Sequence, residues 1–228
     1  MNLLSKLKFI LKKPKVIIIT GEGREYTKKS TFQVLSRHPE AGKDVLLSES
    51  DLKNPHDIEE LKFLIDKSSL FILVATHTGD IFPERDSISG NKETIEEIRK
   101  LSKTILPQNW LVLNFDDEAA REISDMPNLK TITFGFQQGA DFKASDINLN
   151  GRDARSAREA GEPVLGTNFK INYKGNIVPV WLEGICNKEQ IYSALAAACV
   201  GTILDLNLIE ISQALKNYHP TSDKKDGN

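Results

Sequence analysis

The sequence predicts an α/β fold: a mainly parallel sheet flanked by helices, with an added β-hairpin. Two observations lead there. Short apolar runs rich in β-branched residues alternate with helical stretches from Lys15 to Gly135, and continuous apolar runs suit strands covered on both faces. Beyond Gly135 the pattern changes to two alternating runs separated by a turn signal, which reads as a hairpin.

The strand candidates are "KVIIIT" (15–20), "DVLLS" (44–48), "LFILVAT" (70–76), "WLVLNF" (110–115) and "KTITFG" (130–135). Helical stretches fall between them at 27–36, 56–67, 91–105 and 117–124. In "HDIEELKFLIDK" the apolar residues Ile58, Leu61, Leu64 and Ile65 keep helical spacing. This alternation argues for a sheet built through right-handed crossovers. The hairpin is "TNFKINYKGNIVPVWLEG" (167–184), with "YKGN" as its turn. Two helices follow, "KEQIYSALAAACVGTILDL" with Ile191, Ala194, Leu195, Ala198 and Thr202 on one face, and "NLIEISQALKNY". The charged stretch 151–163 reads as a surface loop or frayed helix.

The 228 residues are expected to form a basic amphipathic segment over 1–14, one domain over 15–218 and a disordered tail over 219–228. With 30 basic and 32 acidic side chains the net charge is −2, so no overall field draws the chain to nucleic acid or to an anionic membrane. Lys6, Lys8, Lys12, Lys13 and Lys15 read as a solvated helix face. Cys186 and Cys199 lack metal-ligand spacing, so they are expected to be reduced thiols with no metal site. No apolar stretch is long enough for a membrane span, and a cytoplasmic location is expected.

"TGEGREYTKKST" (20–31) follows a buried strand and leads into a helix, which is where phosphate loops occur. Gly21, Glu22, Gly23, Arg24 and Glu25 would form that loop, but Arg24 and Glu25 stand where a lysine and a metal-binding hydroxyl belong. A tight turn without a ligand is the equal alternative. Asn114, Asp116 and Asp117 in "NFDDE" follow a strand and could hold a ribose, a metal or nothing; the aspartates read first as a helix cap. His77 in "ATHTGD" reads as a loop residue, and no catalytic residue can be named.

In order along the chain, four stretches resemble the central, ATP-binding domain of the Mur ligases, the ATP-dependent amide ligases of peptidoglycan precursors. They are "KKPKVIIITGEGREYTKKSTFQVLS", "ILPQNWLVLNFDDE", "TITFGFQQGADFKASDINLN", and "GTNFKINYKGNIVPVWLEG" with the alanine-rich helix behind it. The resemblance spans about Leu11 to Tyr218 and implies a P-loop-like central domain, including a strand over "ADFKASDIN". It implies ATP and Mg as cofactors and places nucleotide contacts at Asn114, Asp116 and Asp117. Glu189 and Gln190 occupy the positions of the family's His-Asn pair. The family's carbamylated lysine corresponds to Arg99 or Lys100, and Asp80 and Phe82 replace its histidine and carboxylate near the end of the third strand.

The loop is one residue shorter than the family's, and domains for the UDP-sugar and the incoming amino acid are expected to be absent. Three functions stay open. The first is a degenerate central-domain protein acting as a binding or regulatory module in the cell-wall pathway. The second is an active ATP-dependent ligase or ATPase completed by a partner chain. The third is a nucleotide-free structural subunit of a complete Mur ligase. The implied partner is a full-length Mur ligase or another cell-wall precursor enzyme.

Overall fold

The computed structural model describes residues 3–52, 54–76, 96–149, 166–184, 186–216 and 218. The chain opens with α1 (Leu3–Lys12) and β1 (Lys15–Thr20), followed by α2 (Arg24–Arg37), a short α3 (Pro39–Gly42) and β2 (Val45–Glu49). Next come α4 (Pro55–Lys67), β3 (Leu70–Ala75), the helical residues 96–102, here α5, and β4 (Trp110–Asn114). After α6 (Glu118–Ser124) run β5 (Lys130–Gly135), β6 (Phe142–Leu149), β7 (Gly166–Tyr173) and β8 (Asn176–Glu183). The helices α7 (Lys188–Ile203) and α8 (Leu208–Leu215) complete the order.

The strands form one eight-stranded sheet in the order β2-β1-β3-β4-β5-β6-β7-β8. Neighbours from β2 through β6 are parallel, while β6, β7 and β8 are antiparallel. The apolar runs are continuous because both faces are covered. Ile17, Ile19, Ile72, Val74 and Phe134 pack with Val34 of α2 and the alanine-rich body of α7. Val16, Ile18, Phe71, Leu73 and Leu111 meet Phe9 of α1, Leu61 and Leu64 of α4, Leu101 of α5 and Ile123 of α6. Period-two alternation therefore sends successive residues of one strand into two separate cores.

Several boundaries differ from the sequence expectation. Helix α2 starts at Arg24, because Gly23 takes a left-handed conformation (φ 68°) and turns the chain directly from strand to helix. The helix expected over 91–105 is described only from 96 and loosens after 102, where Thr104 N–H bonds Leu101 O at 2.8 Å and Ile105 N–H bonds Ser102 O at 3.3 Å. The hairpin turn is Lys174-Gly175, with φ of 47° and 79°; positive φ at both positions is the two-residue turn that matches strand twist. Strand β6 keeps its face only to Ser145, then shifts register before Asn148, with Asp146 at φ 52°.

The stretches 151–163 and 219–228, together with His77, Asp80 and Phe82, lie outside the described residues. Among the described residues no helix is long and apolar enough to cross a membrane. Both cysteines are free and buried, and burial raises both thiols above their ordinary range, against a hydrogen bond with Thr167 that lowers Cys186.

Candidate functional site

Strand order places β1 between β2 and β3, so the crossovers on either side of β1 run in opposite directions across the sheet. A crevice opens at such a switch point, outside the carboxyl ends of the strands. The loop Gly21–Gly23 leaves β1 there. Thr76, at the end of β3 and buried, braces it: its hydroxyl lies 2.9 Å from Thr20 O and also bonds Glu22 O. Gly23 sits at the cap of α2 with no side-chain cap bond, so the first backbone N–H groups of the helix are left without an intrahelical acceptor.

The loop's own side chains set its electrostatics. The Arg24 guanidinium folds back, donating to Gly21 O at 3.3 Å and lying 3.9 Å from Glu49 Oε2 at the end of β2. The other oxygen of Glu49 lies 3.3 Å from Lys28 Nζ, so this carboxylate joins both cations of the α2 face. Glu22 and Glu25 are exposed, and Glu25 lies in the first turn of α2, where the helix dipole favours an anion. Glu189 also borders the loop: its Cβ is 3.9 Å from where a Cβ on Gly23 would stand. Carboxylates therefore occupy much of the rim of a backbone suited to anions.

Asn114 and Asp116 leave β4 at the same edge. Asn114 is 1% exposed, and its Oδ1 accepts from Asp116 N–H at 3.0 Å. The Asp116 carboxylate accepts from Phe136 N–H at 2.7 Å, Gln137 N–H at 2.9 Å and Tyr192 OH at 2.7 Å. It thus ties the β4 end to the turn after β5 and to α7. Burial, then the bond to the Asp116 carboxylate, pushes the Tyr192 hydroxyl well above its ordinary range. Asp117 immediately precedes α6.

The Glu189-Gln190 pair separates in role. Gln190 closes a capping box: its side chain accepts from Asn187 N–H at 2.8 Å and its N–H donates to Asn187 Oδ1 at 2.9 Å. Glu189 alone faces the loop. Below it, α2 and α7 are locked by Ser30 Oγ at 2.8 Å from Ser193 O, and the Tyr218 hydroxyl lies 3.2 Å from Tyr26 O.

Arg99 and Lys100 belong to a different region, on α5, which leads toward the edge where β4 begins. Arg99 pairs with Glu122 of α6 at 2.9 Å. Lys100 is exposed and its amine is held protonated by a 2.6 Å bond to Glu97, whereas carbamylation needs the neutral amine. The structure thus brings together the loop, Glu189, and the β4 end. Thr76, Glu49 and Tyr192 were not singled out by the sequence. The register of Thr20 with Ala75 puts Thr76 beside the loop, and that parallel pairing is the signal that could have found it.

Sheet order and the flanking helices define an α/β domain with a mostly parallel eight-stranded sheet. No protein-family model matches the chain. A curated relative, UDP-N-acetylmuramate--L-alanine ligase from Hydrogenobaculum sp., is 32% identical over 110 residues, covering 47% of this chain and 21% of its own length. Among solved structures, MurF from Acinetobacter baumannii matches with a TM-score of 0.68 and 14% identity, over 94% of this chain and 47% of that one. A MurF ligase from Thermotoga maritima, in complex with ADP, matches with a TM-score of 0.62 and 15% identity, over 91% of this chain and 51% of that one. The chain has a Mur ligase-like fold, and about half of it is similar in sequence to such a ligase. It spans about a fifth of the length of that curated relative and about half of the two solved structures.

Proposed function

We propose that this chain acts as a binding or regulatory module in peptidoglycan-precursor assembly, on a Mur ligase-like domain whose phosphate loop has lost productive ATP binding. The observation that carries this reading is the engagement of Arg24 with Gly21 O and Glu49. A loop cation must be free to meet the phosphates, and an arginine fork is a poor substitute for a lysine point charge. Glu25 stands where the metal-binding hydroxyl belongs and adds repulsion toward a triphosphate. Asp116, already accepting three hydrogen bonds, has little capacity left for a ribose. These residues do not fit Mg-ATP held in the family's manner.

A second reading, an active ligase or ATPase completed by a partner chain, is favoured by one feature: the uncapped start of α2 and its preceding glycines keep the anion-binding backbone. Mixing the chain with a full-length Mur ligase in an amide-forming assay separates the two. As a module, the chain co-elutes with the ligase or changes its rate and shows no ATP turnover alone. ATP turnover by the isolated chain, or neither co-elution nor a rate change, overturns the proposal.

A further inference from the structure

Helix α1 carries an unusual surface. Leu4, Leu7 and Leu11 lie on one face at spacings of three and four, and are 72%, 57% and 78% exposed. Phe9, two residues from both Leu7 and Leu11 and so on the opposite face, is 7% exposed and anchors the helix against Phe63 with ring centroids 5.7 Å apart. The leucines therefore face directly away from the core that holds the helix.

Lysines border the stripe. Lys6 and Lys8 flank Leu7 on its two sides, and Lys12 continues the Lys8 side. Lys6 Nζ rests 5.2 Å from the Phe63 ring centroid, and no Asp or Glu occurs before Glu22. Acids line the groove along the flank of α1 that Lys8 and Lys12 share: Glu49 of β2 and Asp57 and Glu60 of α4, none of them on the leucine face. The outward surface is thus apolar along its middle and cationic along its borders.

We propose that α1 docks the domain on an anionic lipid bilayer, lying parallel to the surface with Leu4, Leu7 and Leu11 inserted and the lysines at the headgroups. An interfacial helix needs this arrangement, with apolar side chains on the face opposite the body and long cationic side chains able to reach upward at the margins. The net charge of the whole chain does not oppose it, because attraction to a charged surface is local and decays within a Debye length. An acidic protein partner would need carboxylates on both sides of an apolar ridge, whereas a bilayer presents both chemistries everywhere.

The test is sedimentation of the full chain with vesicles. Binding is expected to phosphatidylglycerol-containing vesicles, to be weak on pure phosphatidylcholine, and to weaken as salt rises. The exposed pair Leu7→Glu and Leu11→Glu should abolish it with an unchanged melting temperature, and each of Lys8→Gln and Lys12→Gln should weaken it roughly fivefold. Ile209→Glu, an exposed apolar site on α8, should bind like the wild type. Equal sedimentation with both vesicle types, no sedimentation with either, or leucine variants that still bind overturn the proposal. So does a stripe whose substitution only dissolves a dimer or releases a protein partner.

Discussion

Asp116→Ala is expected to lower stability by about 3 kcal/mol, a fall of roughly 6–12 °C in melting temperature for a chain of this size. Three donors lose a charged acceptor at once: Phe136 N–H, Gln137 N–H and Tyr192 OH. Hydrogen bonds to an ionised group stabilise more than neutral ones, and a buried donor left unmatched bears its full desolvation cost. Gln137 N–H is exposed and recovers water, which keeps the effect below the sum of the three. Asp116→Asn keeps one acceptor oxygen and should recover about half of the loss. The same geometry explains the glycine that ends β5. A Cβ on Gly135 would come within 2.7 Å of Asp116 Oδ1, so a side chain there would displace the carboxylate. Thermal melts of the two Asp116 variants check this; an unchanged melting temperature in Asp116→Ala would show that the Asp116 carboxylate does not clamp these elements.

Phe134→Ala should cost about 3–5 kcal/mol, the range for emptying a buried aromatic site. Phe134 is fully buried on β5, next to the Asp116 clamp, with its ring edge-to-face on Tyr192 at 6.1 Å. Tyr192 also meets Phe136 at 4.8 Å, so the cavity would open beneath the same tyrosine that Asp116 holds from above. The two substitutions share a partner and should not be additive. A double variant whose loss equals the simple sum would show that Tyr192 does not couple them.

The parallel sheet was legible because its strands are buried on both faces and so appear as unbroken apolar runs, as in Val16 to Ile19. The hairpin was legible from Lys174-Gly175, whose turn chemistry is local. Strand β6 was not visible as a period-two run: the irregularity between Ser145 and Asn148 breaks its alternation, and only the resemblance pointed to it. The glycine loop could be located from Gly21 and Gly23, but what Arg24 does depends on Glu49, a residue brought near by the pairing of β1 with β2. Likewise, "NFDDE" marks a strand end, yet the partners of Asp116 lie 20, 21 and 76 residues away. The charge of the N-terminal segment could be counted in the sequence. That Leu4, Leu7 and Leu11 face outward depends on Phe9 being the residue the core takes.

We have proposed that the Gly21–Glu25 loop does not hold a nucleotide productively. The most direct test is the melting temperature of the chain with and without millimolar Mg-ATP, set beside the Arg24→Lys, Glu25→Thr double variant. A ligand at a hundred times its dissociation constant adds about 2.7 kcal/mol, or roughly 5–11 °C here. The wild-type chain is predicted to show no shift and the double variant a measurable one; a rise of several degrees in the wild type, undiminished or larger than in the variant, would contradict the claim.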